Sequence, residues 1–420
     1  MKQDQMKKMK RGMSRRAFLE TSSMLGGTLC TISAGALSVP VEAMWLGPPL
    51  PVKDPPEIPA SVFKRRLTAV QAELAKRDVG ALVLFSVQGY DTRYLAQHAP
   101  GILLVPTDGA PTLFATGRPQ TWLSDIRSGR DYEPMLDQCA ERLKKLRLER
   151  GKIAVGGEFD WAVKTKLRAA LPDARLEAGI EIQDQLRLIK DEYELAFLRR
   201  AQEISDAQIR AGQMAIRPGR RDWDVLADLV HVGVMHGAAI DTCRHFIGYG
   251  PGTDDLWAPP TGRSIQAGEV VNFEGIVYYG YYNIETPITF SVGKVSAKQK
   301  DLANVNFEAF QAGLAAMKPG APVAEVVDAT NKVLKANGFE KMIRRHGHFI
   351  GLANNDRPSF DDAIKAGLVL QAGMTISYHT TITVPSKEAI VVVGRVVVVT
   401  SNGRELLSKI ELTPMVEVAS

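Results

Sequence analysis

Residues 268–290, GEVVNFEGIVYYGYYNIETPITF, constrain the fold more than any other stretch of this chain. Their Val, Ile, Tyr and Phe favour strands, and the Tyr279-Gly280 step is a candidate tight turn. A two-residue turn there sets Tyr278 opposite Tyr281, Ile276 opposite Asn283 and Glu274 opposite Glu285. All six lie on one face, because strand side chains alternate. Two like charges directly opposite each other destabilise a sheet unless one is protonated or a cation lies between them. The run therefore predicts a hairpin whose carboxylates belong to a metal site. A solvated face, or a hydrogen-bonded carboxyl pair, is the plainer alternative. The tyrosines read as packing, although any of them could supply a phenol to a pocket.

A chain of 420 residues holds two domains with real cores. Residues 60–185 alternate helical and strand patterns and read as an α/β domain. SVFKRRLTAVQAELAKRD has helical spacing, and ALVLFSV, GILLVPT, TLFAT and KIAVGG are strands, two of them around an Asp108-Gly109 turn. Residues 186–412 open with a helix over 191–216 and a second after Pro218-Gly219. Strands follow, then two more helices, then strand-rich sequence containing GMTISYHTTITV and AIVVVGRVVVVT. Helices mixed with antiparallel strands predict an α+β domain. Residues 44–59 form a proline-rich linker or surface arm, and residues 413–420 a tail.

The first 43 residues read as an export signal. A basic region ends in SRRAFLE, an apolar stretch of small residues follows, and VEA closes it at Ala43. Arg15-Arg16 followed by Phe18-Leu19 resembles a twin-arginine signal, which implies a periplasmic or otherwise exported protein. The apolar stretch is too diluted by Gly and Ser for stable membrane insertion. The segment carries Lys2, Lys7, Lys8, Lys10, Arg11, Arg15 and Arg16 against Asp4, Glu20 and Glu42, so it holds +4 of the formal net charge of +5. The remaining +1 gives no electrostatic case for a nucleic-acid partner. Cys139 and Cys243 lie far apart, and a disulfide between them is left open.

Several ordered blocks resemble the pita-bread family of creatinases, prolidases and Xaa-Pro aminopeptidases. They are RLIKDEYELAFLRRAQEISDA, QAGEVVNFEGIVYYGYYNIETPITFSVGKVS, MKPGAPVAEVV, RRHGHFIGL and LQAGMTISYHT. The resemblance implies a creatinase-like N-terminal α/β domain before a pita-bread catalytic domain, a homodimer, and a metal site. The family's two aspartate ligands correspond to Glu274 and Glu285, and its Gly-His-x-x-Gly histidine to His348. A later family glutamate corresponds to His379, and the last one to Gly394, which has no side chain to ligate. The family arginine is Ile288, and a second family histidine is Asn355.

The surviving set, Glu274, Glu285, His348 and His379, suits one divalent transition metal: Zn, Fe, Mn or Co. His348 and Glu285 are the candidate catalytic residues, and Asn355 and Tyr281 the candidate substrate contacts. The reading is a metal-dependent enzyme acting on a small molecule, a C–N hydrolase or a lyase, rather than a standard Xaa-Pro peptidase. Two alternatives stand beside it: a metal-free creatinase-like enzyme with His348 as acid and base, and a non-catalytic binding protein on the same fold. His346 reads as a neighbour of His348 on the same strand face. His98, His231, His236 and His245 lie outside the matched blocks and read as non-catalytic.

Overall fold

Among the described residues, short β-branched runs alternating with amphipathic stretches build three sheets in the computed structural model, with helices packed against them. The structure describes residues 51, 55–87, 89–98, 100–158, 160–239, 244–249, 259–339, 346–383 and 390–419, with backbone only at 180 and 244–249. The expected signal, most of the linker, Cys243 and the His245 side chain lie outside these residues. Among the described residues no helix is long and apolar enough to cross a membrane.

The first part runs α1 (Ala60–Lys76), β1 (Ala81–Ser86), α2 (Tyr90–Ala96), β2 (Gly101–Pro106), β3 (Thr112–Ala115), β4 (Asp125–Ser128), α3 (Tyr132–Lys145), β5 (Lys152–Gly157), α4 (Asp160–Ala170), β6 (Arg175–Ala178) and α5 (Ile180–Arg187). Its six strands are ordered β4-β3-β2-β1-β5-β6. All six residues of β1 are buried, which explains a continuous apolar run in place of alternation. Cys139 is a buried free thiol on α3.

The second part runs α6 (Glu192–Ala215), α7 (Asp222–Met235), β7 (Arg244–Tyr249), β8 (Val270–Tyr279), β9 (Tyr282–Val292), α8 (Ala297–Ala316), α9 (Val323–Ala336), β10 (His348–Phe349), α10 (Phe360–Lys365), β11 (Thr375–Thr383), β12 (Ile390–Thr400), β13 (Gly403–Leu406) and β14 (Val416–Val418). It holds two four-stranded sheets, β14-β9-β8-β7 and β10-β11-β12-β13, and the whole is an α+β fold. Within the stretch expected as a tail, β14 pairs parallel with β9. Its V-x-V alternation turns Val416 and Val418 inward, which a loose end does not need.

The long helix α6 begins at an Asp-x-x-Glu step. Asp191 accepts from the backbone N–H of Tyr193 and Glu194, and the Glu194 carboxylate accepts from the Asp191 N–H, a reciprocal capping box. The two four-stranded sheets are joined by side chains. Thr289 Oγ1 donates to Val392 O and accepts from Val392 N, both at 2.8 Å, and Asn272 Nδ2 donates to Ile390 O at 2.8 Å. These bonds hold the β8–β9 hairpin against β12, next to the strand that carries His379.

Candidate metal centre

The hairpin forms, but in a different register from the one expected. Tyr279 pairs with Tyr282, so the turn residues are Gly280 and Tyr281, not Tyr279 and Gly280. Glu274 therefore faces Pro287, and Glu285 faces Ile276. The reason is turn geometry: a two-residue hairpin turn of this kind needs positive φ at both central positions, met here by Gly280 (55°) and Tyr281 (75°). Tyr281 is held there by Arg93, whose guanidinium lies 3.1 Å from its ring centroid. The slip moves each partner by two residues, and side chains repeat every two, so Glu274 and Glu285 still share a face as diagonal neighbours. A hydrogen bond joins the two carboxyls.

His348 pairs with Ser377 in the β10–β11 ladder, and His379 lies two residues beyond Ser377. Both imidazoles therefore lie on one face, with ring centroids 5.7 Å apart. Glu285 meets both. Its Oε2 is 2.8 Å from His348 Nε2 and its Oε1 is 3.7 Å from His379 Nε2. Ligand-capable atoms of Glu285, His348 and His379 all lie within 4.8 Å of one another. Four-coordinate transition-metal sites hold nitrogen and oxygen donors at about 2.0–2.2 Å from the ion, so a spread of this size suits one ion. All three residues are buried, as is Glu274, which excludes the solvated-face reading.

The chemistry of the donors supports the same fit. His348 Nδ1 lies 3.1 Å from the carbonyl oxygen of Phe349. A carbonyl only accepts, so Nδ1 carries the hydrogen and the lone pair of a neutral ring sits on Nε2. That lone pair points at a carboxylate oxygen 2.8 Å away. Two acceptors at that distance need a positive centre between them, either a second ring proton or a cation. Burial alone pushes the Glu285 carboxyl up. The hydrogen bond and charge of His348, the charge of His379 and the hydrogen bond with Glu274 reverse this and bring it down to about 2.

The other expected site residues stand apart from this group. Glu274 contacts it through Glu285. Asn355 lines a cavity of about 510 Å³ with Asp91, Asp184, Arg187 and Arg357. Its neighbour Asp356 reaches back to the centre, because the Asp356 N–H donates to Phe349 O, the carbonyl that also receives His348 Nδ1. Tyr281 is at the hairpin tip, 48% exposed, and the structure does not bring it to the metal-ligand group. A Tyr there serves the turn and the Arg93 stack. His346 does not share a strand face with His348, because Gly347 between them has φ 120° and His346 precedes β10. Instead its Nε2 lies 3.0 Å from Asn331 Oδ1.

Gly394 faces His379 in the β11–β12 ladder. A Cβ at Gly394 would come within 2.5 Å of Pro287 Cγ and 2.7 Å of His379 Cβ. The space that a ligating side chain needs is filled by the Pro287 ring, a role no spacing in the sequence discloses.

With fold and geometry in place, the relatives fit. Residues 196–401 match Metallopeptidase family M24, and this segment is a pita-bread, M24-type domain. The chain is 27% identical over 327 residues to the uncharacterized hydrolase/peptidase y4tL of Sinorhizobium fredii, covering 72% of this chain and 83% of that one. It is 28% identical over 240 residues to the Xaa-Pro dipeptidase of Pyrococcus furiosus, covering 55% and 66%. Among solved structures, the Xaa-Pro dipeptidase from Bacillus anthracis superposes with a TM-score of 0.75 at 22% identity, over 85% of this chain and 100% of that one. Dipeptidase PepE from Mycobacterium ulcerans gives 0.75 at 24%, over 87% and 100%. These structures establish the shared fold.

Proposed function

We propose that this protein is an exported hydrolase that uses one divalent metal ion to cleave a C–N bond in a small molecule. The observation that carries the reading is the His348–Glu285 contact. His348 Nε2 and a Glu285 carboxylate oxygen face each other 2.8 Å apart, with His379 beside them. Glu285, His348 and His379 would hold the ion. A divalent ion bound there supplies Lewis acidity toward a scissile carbonyl. The chain's own groups do the rest. Phe349 O fixes the His348 ring so that Nε2 faces inward. Glu274, hydrogen-bonded to Glu285, is placed to hold and move a proton at its carboxyl. Burial of the centre keeps bulk solvent from it, so the one water that hydrolysis consumes enters with the substrate.

Gly394 and the Pro287 ring that occupies the space beside it support one ion rather than two. Relatives named Xaa-Pro dipeptidase support peptide-like C–N bonds as the first substrates to try. The changed residues at Ile288, Asn355 and Gly394 favour a different small molecule. Export rests on the Arg15-Arg16 motif.

Metal analysis of the purified protein tests the reading, with about one transition-metal ion per chain expected, falling to none in Glu285→Ala and His379→Ala. Xaa-Pro dipeptides, guanidino compounds and other amides are then screened with the loaded protein. Two ions per chain would overturn the single-metal site. Full activity without any metal would favour the acid–base reading of His348. Arg15→Lys with Arg16→Lys should leave the protein in the cytoplasm, and continued export would refute the signal.

A further inference from the structure

A second cavity of about 510 Å³ lies at the tip of the β8–β9 hairpin, and none of Glu285, His348 and His379 lines it. Its apolar walls include Ile58, Phe63 and Phe197. Three arginines, Arg66, Arg93 and Arg118, also face it, with His98 beside them. Glu57, which is exposed, is the one acidic residue of the lining among the described residues.

The arginines are not equivalent. Arg66 is neutralised from behind, with Nη2 2.8 Å from Asp191 and 3.1 Å from Glu194. Arg93 stacks on Tyr281 and donates through Nη1 to Gln97 O at 3.3 Å. Its contacts are neutral groups, and among the described residues no carboxylate pairs with it. Its Nε is buried and makes no hydrogen bond, and the same holds for His98 Nε2. A desolvated guanidinium without a counter-charge is costly, and an orphaned buried N–H adds to that cost. Arg118 stands exposed at the mouth. The arrangement offers a planar, partly dry cation, a second cation at the rim and an apolar wall, within the volume range of small-molecule sites.

We propose that this cavity binds a small organic anion, with its carboxylate or phosphate held by Arg93, Arg118 and His98 and a flat apolar body against Phe63 and Phe197. Guanidinium forks match both oxyanions. Tyr282 also lines the cavity and lies three residues before Glu285 on β9, about 10 Å along the strand. The site is thus distinct from the candidate metal centre but stands on the same hairpin.

Calorimetric titration of the full-length protein with benzoate and with phenyl phosphate tests this, with neutral benzamide as control. At least one anion should bind saturably at one site, and benzamide should not. Affinity should fall about tenfold or more in Arg93→Gln and in Arg118→Gln, and partly recover in Arg93→Lys. Arg118 is exposed, so its variant keeps the test open if Arg93→Gln fails to fold. Preference for one anion over the other identifies the carboxylate or phosphate source. Glu285→Ala should bind the same anion or anions with wild-type affinity. The proposal falls if neither anion saturates by about 10 mM, if benzamide binds equally, if neither Arg93→Gln nor Arg118→Gln weakens binding, or if Glu285→Ala abolishes it.

Discussion

Gly394 and Pro287 touch across the two sheets so closely that one added carbon decides the chemistry of the centre. Gly394→Glu restores a carboxylate at the position where the resemblance implies a ligand, yet its Cβ meets the Pro287 ring. We expect it to bind no second ion and to lose about 1–3 kcal/mol of stability through overpacking, measured by urea denaturation and metal analysis. A gain of a second ion at unchanged stability would show that the ring gives way freely. Titration offers another readout at this scale. The Glu285 carboxyl is held at about 2, below its ordinary 4.5, so its contribution to stability is present above pH 4.5 and is lost as pH falls toward 2. Burial holds His346 at about 4, below its ordinary 6.5, so its protonation also opposes folding, from pH 6.5 downward. Each therefore takes stability from the metal-free protein, His346 in an upper step and Glu285 in a lower one, while Asp184, held up at about 7 chiefly by burial, offsets part of the upper step. In Glu285→Gln the lower step should shrink, as followed by thermal melts across pH.

The hairpin is the element that carries Glu274 and Glu285, and its register depends on two positive-φ residues. A Cβ on Gly280 would come within 2.2 Å of Phe197 Cε1, and φ there is 55°. Gly280→Val combines backbone strain with a clash against α6 and should cost roughly 2–4 kcal/mol, seen as a lower denaturation midpoint. An unchanged midpoint in Gly280→Val would show that neither the positive φ nor the Phe197 contact limits this turn. On the opposite sheet, β10 is only two residues long. Its place is set by Gly347, where any Cβ would lie 2.2 Å from Ser377 O, and by the Phe349 carbonyl that orients the His348 ring.

Buried ion pairs tie the two parts of the chain together. Arg66 on α1 reaches Asp191 and Glu194 at the start of α6. Arg187 at the end of α5 bonds Asp91 on α2 and Asp356, and Lys190 Nζ lies 3.0 Å from Asp356 as well. Removing one partner leaves a buried charge uncompensated. Arg187→Met should cost about 3–5 kcal/mol. Asp356 holds the carbonyl that orients His348, so the same variant should also weaken metal binding. Unchanged metal affinity in a folded Arg187→Met protein would separate this brace from the centre.

Patterns carried by neighbouring residues are legible in the amino-acid sequence alone. The apolar runs of β1, β2, β3 and β5 and the period-two alternation of the hairpin are local, because propensity and side-chain periodicity act within a few residues. Parity along a strand also makes the shared face of Glu274 and Glu285 readable even though the register differs by two. Tertiary packing alone decides the rest. The meeting of Glu285 with His348 and His379, the Pro287 ring over Gly394, the His346–Asn331 bond and the cavity around Arg93 each join residues remote in sequence. No local energy term links such residues until the sheets are packed, and that is why spacing in the chain does not reveal them.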